Sequence, residues 1–410
     1  MLANMMSLDD QAAVPEPDGS LRPIAQSLDH FGPVLAPVAQ GLVDQVRDAR
    51  ARRACLRIRG GGSKDAVGNI ARGEVLDTRY LSGITAYEPS ELVISALAGT
   101  PLRDLEDLLA SRGQALAFEP PRLGGTLAQA TLGGVVASGL SGPARASRGA
   151  VRDHVLGVRM VNGRAQVLRF GGSVMKNVAG FDLSRLMAGS MGTLGLLLEV
   201  SIKVLPQAVA SATLRFEMTQ EQALAQVNLW AGQPLPLDAS AWWDGLLVLR
   251  LRGAQAAVNS AIQRLVPERG GELIAPEMAE PFWLGLRDQQ DEFFTRARAA
   301  VGSGAGQAGG ATLWRISVPA TAKPLALSGE TLVEWFGAQR WLCTTAPAAA
   351  VHEAAEQAGG HALAWVAHTP QGVVLPEVLL RLHRQVQQAF DPDGVFDTGR
   401  LWPRAAPDAP

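Results

Sequence analysis

Leu42, Val43, Val46 and Ala49 recur at helical spacing, after which the period changes. Ala54-Cys55-Leu56-Arg57-Ile58 predicts a short strand running into the triplet Gly60, Gly61, Gly62. A second unit follows: a strand from Leu92 to Ala98, then a helix capped by Thr100 with Pro101 at its first position. That helix carries Leu102, Leu105, Leu108 and Leu109 on one face and stops at Gly113. Alternation at Val158, Met160, Val167 and Phe170 predicts two strands within residues 148–172, joined by a type I′ turn at Asn162-Gly163. Residues 176–206 predict a closing strand after Gly192 and Gly195. Beyond Leu205-Pro206 a pattern rich in Trp230, Trp242, Trp243 and Trp283 begins, which sets a domain boundary near residue 208. Pro15, Pro17, Pro23, Pro33 and Pro37, without sustained periodicity, predict a loosely ordered arm over residues 1–38.

The bulk numbers narrow the classes. A chain of 410 residues exceeds one ordinary core, so two domains are expected. A net charge of −2 supplies no positive field for nucleic acid or an anionic membrane. No run of apolar residues is long enough to span a bilayer, and the start lacks a basic segment followed by an apolar one, so a cytoplasmic location is expected. Cys55 and Cys343 sit in no CxxC or Cys/His cluster, which leaves no case for a disulfide framework, a zinc site or a protein-ligated iron-sulfur cluster.

Between Gly124 and Gly195, 15 of 72 residues are glycine, about three times ordinary usage, so this segment supplies backbone conformation or close approach. The string RIRGGGSK at 57–64 places three glycines before a hydroxyl and an ammonium. Such a loop can turn successive N–H groups inward as an anion nest, with Ser63 donating and Arg59 or Lys64 adding charge; a tight solvent turn is the plain alternative. TLGGVVASGLSG at 131–142 offers a second such stretch through Gly133-Gly134, Ser138 and Ser141, or else a glycine-rich loop beside a buried helix. GxGxxG at Gly304, Gly306 and Gly309 follows a helix and precedes a strand, the reverse of a dinucleotide fingerprint.

These stretches resemble the FAD-binding domain of the vanillyl-alcohol oxidase type, also called the p-cresol methylhydroxylase type. Within it they resemble the family of smaller FAD-binding subunits of bacterial glycolate oxidases (glycolate dehydrogenases). The resemblance runs from about Leu42 to Arg400. It is carried by RIRGGGSK, YEPSELV (87–93), AGTPL (98–102), FEPP (118–121), SGPARASRGAVRDHVLGVR (141–159) and KNVAGFDLSRLMAGSMGTLG (176–195), and later by FWLGLRDQ, LWRISVP and FDPDGVFDTGR. It implies an α+β protein: a two-part FAD-binding domain at 39–208, an α+β cap at 209–385 over the flavin's reactive edge, and a C-terminal return over 386–410. It also implies FAD contacts at Gly60 to Ser63, with Thr131, Gly133, Gly134 and Ser138 along flavin and ribityl chain, and backbone contacts from Gly149, Val151 and Gly195. The implied partners are a larger FAD-binding subunit and an iron-sulfur subunit, the implied substrate is a small 2-hydroxy acid, and any membrane contact is through those partners.

The sequence also departs from a self-sufficient oxidase, which needs a hydride acceptor, a cation for the carboxylate and a base or metal for the hydroxyl proton. Where related large subunits and D-lactate dehydrogenases share HxGDGNxH, this chain reads HALAWVAH, and on a strand the odd gap sends His361 and His368 to opposite faces. Asp153-His154, expected on a strand, would likewise point apart. Lys176-Asn177 is a polar candidate near the flavin, and Arg152, Arg315 and Arg400 are unranked carboxylate forks. Asp397-Thr398 replaces the family's usual Asn-Pro, and His30 and His154 have no motif for covalent flavin, so non-covalent binding is expected. Three roles stay open here: an FAD subunit of a complex, a self-sufficient 2-hydroxy-acid dehydrogenase, and a non-catalytic scaffold.

Overall fold

The computed structural model describes residues 27–124, 129–172, 182–303, 310–367 and 374–402. Helix α1 (Gly32–Arg52) begins well before the periodic stretch, and a 3-10 turn at Leu28–Phe31 leads into it. Pro33 falls in the first turn, where its missing N–H is not needed, and Pro37 is carried inside the helix. Phe31 and Ala39 extend the buried stripe of Leu42, Val43, Val46 and Ala49. The expected loose arm is therefore corrected over residues 28–38: burial of that stripe outweighs the local cost of proline.

Strand β1 (Leu56–Arg59) pairs in parallel with β2 (Glu74–Asp77), and α1 packs on them in one core with Leu97, Val161, Leu196, Leu198 and Phe396. A second, antiparallel sheet runs β3 (Ile84–Glu88), β4 (Val93–Leu97), β8 (Leu196–Lys203), β6 (Val155–Val161), β7 (Val167–Gly171). Its core includes helices α2 (Leu102–Ala110) and α3 (Leu132–Ser138). Single-turn helices α4 (Arg145–Arg148), α5 (Val151–His154) and α6 (Leu183–Leu186) and the short pair β5 (Gln114–Ala115) and β9 (Leu205–Pro206) complete this part.

Three local expectations are corrected. Thr100 does not cap α2; its hydroxyl accepts from Gly83 N at 2.9 Å and donates to Gly83 O at 3.1 Å. Residues 162–166 form a five-residue loop rather than a type I′ turn, because Asn162 Oδ1 accepts from both Arg164 N and Gln166 N at 3.0 Å. Gly163 is needed for space instead: a Cβ there would lie 2.0 Å from Asp391 Oδ1. Asp153 and His154 lie in a helical turn, not a strand, yet are separately partnered, Asp153 by Ala150 N and His154 Nε2 by Arg148 O.

The third sheet is drawn from residues 210–366. Its first unit is β10 (Ala210–Glu217), α7 (Gln220–Ala231), β11 (Leu237–Trp243), β12 (Leu246–Gly253), α8 (Gln255–Arg269) and β13 (Glu272–Ile274). Helices α9 (Pro276–Asp288) and α10 (Glu292–Ser303) follow. The second unit is β14 (Thr312–Ser317), β15 (Glu330–Glu334), β16 (Gln339–Thr344), α11 (Ala348–Gln357) and β17 (His361–Val366), before the final helix α12 (Glu377–Phe390). The sheet order β13-β10-β12-β11-β15-β16-β14-β17 contains the same arrangement twice: in each unit the strands lie second, third, first, fourth by chain position. That is the β-α-β-β-α-β arrangement, with the first crossover helix absent from the second unit. The units join through a short ladder, with Ala241 and Trp242 of β11 facing Glu334 and Val333 of β15, and through Phe336 N donating to Ser240 Oγ and Asn228 Nδ2 donating to Ala320 O and Phe336 O. Helices α7 and α8 cover one face of the first unit and α11 the same face of the second, while α9 and α10 pack on the other with Trp341 and Trp365.

Candidate functional site

Strand β1 ends at Arg59 and the chain turns through the glycine triplet. A Cβ at Gly60 would sit 2.4 Å from Thr131 Oγ1, one at Gly61 only 1.6 Å from Gln129 O, and Gly62 has φ +74°. The first loop thus lies against the second with no room for side chains between them. Together they wall a cavity of about 690 Å³, its open mouth included, lined by Arg59, Gly60, Gly61, Gly62, Ser63, Lys64, Thr131, Gly133, Gly134, Ser138 and Gly195. Thr78, Met191, Gly192 and Arg400 also reach it, none of which the sequence patterns singled out as lining. Gly149 and Val151 do not line it: they stand at α4 and α5, where Val151 N donates to Ser141 Oγ at 3.3 Å.

Charge in the cradle is unevenly satisfied. Arg59 pairs with Asp65 at 2.7 Å. Arg400 is not a free carboxylate fork, since it donates to the carbonyls of Lys64 and Val67 and so fixes the loop beyond the nest. Asn69 N and Arg72 N in turn donate to Arg400 O and Thr398 O, so the turn at Asp397-Thr398 closes despite its departure from the family pattern. Lys64 is 8% exposed, and its ammonium donates to Ser63 Oγ at 3.1 Å. Among the described residues no carboxylate lies within ion-pair range of it. Burial pushes its pKa down to about 8, with Asp288 opposing and Arg400 acting the same way as burial. An anion in the cradle would give this buried cation a counter-charge, and the inward glycine backbone would give that anion its donors. The residues present therefore fit a diphosphate-bearing cofactor.

Across the cavity the eight-stranded sheet meets the 118–154 stretch through buried charge. Arg250 donates to both Glu119 oxygens at 2.7 and 2.8 Å and to Asp238 at 2.6 Å, Arg252 reaches Glu119, and Arg148 reaches Asp238. Beside this network Trp335 Nε1 donates to Gly142 O at 3.0 Å. Trp335, Trp341 and Trp365 surround Arg315, with its guanidinium carbon 5.4, 6.0 and 5.7 Å from their ring centres. Of the arginines named as forks, Arg315 is the one placed in such a cage; Arg152 is exposed on α5. His361 starts β17, its pKa lowered by burial and by Arg315, and His368 lies outside the described residues, as do Lys176-Asn177 and the GxGxxG glycines. Neither His30 nor His154 lines the cavity.

A family model described as FAD binding domain matches residues 35–171. The glycolate oxidase subunit GlcE of Escherichia coli (strain K12) is 44% identical over 364 residues, 89% of this chain and 97% of that protein. The chain belongs to the glycolate oxidase subunit GlcE family. Its cofactor is FAD, and the flavoprotein oxidoreductases it resembles include the glycolate oxidase subunit GlcD of Bacillus subtilis (strain 168), 31% identical over 35% of this chain and 29% of that one. A D-lactate dehydrogenase of Archaeoglobus fulgidus is 30% identical over 44% of this chain and 40% of its own. For the fold, a solved alkyldihydroxyacetonephosphate synthase superposes with a TM-score of 0.59 at 15% identity, covering 87% of this chain and 74% of that one. The GlcE-family chain thus has the p-cresol methylhydroxylase-type α+β fold that the sequence resemblance implied. Among its described residues no helix is long and apolar enough to cross a membrane.

Proposed function

We propose that this chain is the FAD-binding subunit of a glycolate oxidase (glycolate dehydrogenase) complex that converts glycolate or a related 2-hydroxy acid to the 2-oxo acid. Its partners are a larger FAD-binding subunit and an iron-sulfur subunit, through which electrons pass toward quinone; the complex works in the cytoplasm and touches the membrane only through those partners. Arg59, Gly60, Gly61, Gly62, Ser63 and Lys64 hold the diphosphate; Thr131, Gly133, Gly134, Ser138 and Gly195 line the ribityl and flavin stretch. Gly149 and Val151 complete the pocket by backbone contact, outside the cavity that the other residues enclose. Residues 39–208 with the return after 385 form the FAD domain, and 209–385 the cap.

The observation that carries this reading is the buried Lys64 ammonium, set beside the glycine triplet with no carboxylate in ion-pair range among the described residues. FAD, when bound, would supply this chain's electron-accepting group. The chain's own residues grip and orient: the loop amides and Lys64 hold the anionic end. HALAWVAH in place of HxGDGNxH supports oxidation at the larger subunit, with the flavin of this chain as relay.

The test is flavin stoichiometry per polypeptide in the co-purified complex, with glycolate reduction of the lone subunit measured alongside. One FAD on this chain and slow or no bleaching of the lone subunit are expected. Bleaching at the rate of the complex would instead establish a self-sufficient dehydrogenase, and a flavin-free chain a scaffold.

A further inference from the structure

Arg315 and Arg145 share one aromatic partner. Their guanidinium carbons lie 5.4 and 4.6 Å from the ring centre of Trp335, which holds the two cations within about 10 Å of each other. Arg145 comes from α4, beside Gly149, and Arg315 from β14 in the second unit of the eight-stranded sheet. Both are half-buried, and among the described residues neither has a carboxylate within ion-pair distance. The polar contact of Arg315 is to a neutral group, its Nε donating to Gln339 Oε1 at 2.9 Å. Glu334, on β15 with β16 between it and β14, accepts from Trp341 Nε1 at 2.6 Å. Elsewhere the seam pairs its arginines fully, as Arg250 does with Glu119 and Asp238. The unpaired pair is the exception.

The backbone supplies a second, independent observation. Trp335, Phe336 and Gly337 have φ of +53°, +54° and +104°, consecutive left-handed residues in a buried turn, two of them bulky. Such a run is costly for side chains of that size and persists where the surroundings hold a group in a required place. Here it presents the Trp335 indole to both guanidinium groups and to Gly142 O.

We propose that Arg315, with Arg145 beside it, is the receiving site for the carboxylate of a small organic acid entering between the eight-stranded sheet and α4. A planar guanidinium stacked on indole keeps its N–H fork free for two parallel hydrogen bonds to a carboxylate. The partly desolvated setting strengthens them, and Arg145 adds a second positive charge. The anion removes the repulsion that the two cations exert on each other, which also lowers the pKa of Arg315 to about 10, after burial. This rests on the glycolate oxidase reading only for naming the acid as a 2-hydroxy acid; the site itself stands on the two arginines.

The test uses the full chain, flavin-loaded, and titrates it with oxalate, an unreactive short dicarboxylate, by calorimetry and by tryptophan fluorescence. Saturable binding with a change in indole emission is expected. Arg315→Gln and Arg145→Gln should each weaken it by about ten-fold or more, and Arg315→Lys should weaken it less than Arg315→Gln. Arg215→Gln, which removes an exposed arginine paired to Glu272, should leave it unchanged. Flavin content, read from the absorbance spectrum of each variant, separates this from the cofactor reading. Undiminished oxalate binding in Arg315→Gln at normal flavin content overturns the site, as does failure of the parent chain to bind oxalate. If the chain holds no flavin, the cofactor reading fails on its own, and oxalate binding that depends on Arg315 still upholds the anion site.

Discussion

Glu119 and Arg250 meet across the seam between the FAD-binding part and the eight-stranded sheet, with both carboxylate oxygens accepting from one guanidinium nitrogen at 2.7 and 2.8 Å. Arg250 is 3% exposed, so its charge depends on Glu119 and Asp238 for compensation. Removing one acid leaves a buried cation underpaired, a loss that typically costs about 3–5 kcal/mol. Glu119→Ala should therefore lower the denaturation midpoint by that order, and Arg252→Ala, at the solvent edge of the same cluster, by far less. Chemical denaturation of the two variants checks the ranking.

Lys64 should bind cofactor at the expense of the empty protein. Its folded pKa of about 8 lies below the ordinary 10.5. The unfolded chain then holds more protons between those values, so apoprotein stability from this group rises with pH across that window. Lys64→Met should raise the apoprotein melting temperature, by up to about 3 kcal/mol of stability at neutral pH, and should weaken FAD binding at least about ten-fold. In the parent chain FAD affinity should fall as pH rises above about 8, because the ammonium that pairs with the diphosphate is lost. Flavin fluorescence titration across pH, with and without Lys64→Met, reads both effects; a pH profile unchanged by the substitution would refute this role.

Two glycines of the cradle should respond oppositely to alanine. Gly134 lies inside α3 with only Thr131 Oγ1, at 3.3 Å, near a built Cβ, so the new methyl enters the cavity. Gly134→Ala should stabilise the empty protein by roughly 0.5–1 kcal/mol, since alanine suits a helix better than glycine, while reducing flavin retention. Gly61→Ala places its methyl 1.6 Å from Gln129 O. It should lose about 1–3 kcal/mol of stability as well as flavin. Thermal melts of apoprotein beside flavin-to-protein absorbance ratios distinguish the pair.

Glu334 should set the pH dependence of anion binding. Burial pushes its pKa up to about 8; Asp291 and Glu119 push the same way, while the Trp341 hydrogen bond and Arg315 oppose. At neutral pH it is therefore largely protonated, and the charges facing the site are Arg315 and Arg145, with Asp291 and Glu119 farther off. As pH rises through about 8 a carboxylate appears beside Arg315, and oxalate affinity should fall. Because its folded pKa is above the usual 4.5, its contribution to stability also declines from pH 4.5 toward 8. Glu334→Gln should flatten the oxalate profile in that range; an equally steep decline would exclude Glu334 as its source.

Much of the cradle was legible because its chemistry is local. RIRGGGSK carries its turn, its donors and its cation within eight residues, and TLGG carries the facing loop. What pattern could not show is that Gly60 and Gly61 are empty because Thr131 and Gln129 stand against them, a contact between segments far apart in sequence. The same limit hid the anion site: Arg145, Arg315 and Trp335 converge only when β14 and β15 lie two strands apart and α4 reaches the sheet. Where local rules misled, tertiary packing prevailed. Pro33 and Pro37 read as an arm yet join α1, because Phe31 and Ala39 have a core to enter. Asn162-Gly163 read as a tight turn, yet its glycine makes room for Asp391.

The junction of β11 with β15 joins two plates of the large sheet, and Phe336 N to Ser240 Oγ and Asn228 Nδ2 to Ala320 O fasten it. Arg250 and Asp238 clasp the first plate to the nucleotide-holding half, whereas Arg315 and its three indoles ride on the second. The second plate has its own tie, Trp335 Nε1 to Gly142 O, so Arg315 and Arg145 are set at their spacing before any acid arrives and little of its binding energy goes into ordering them.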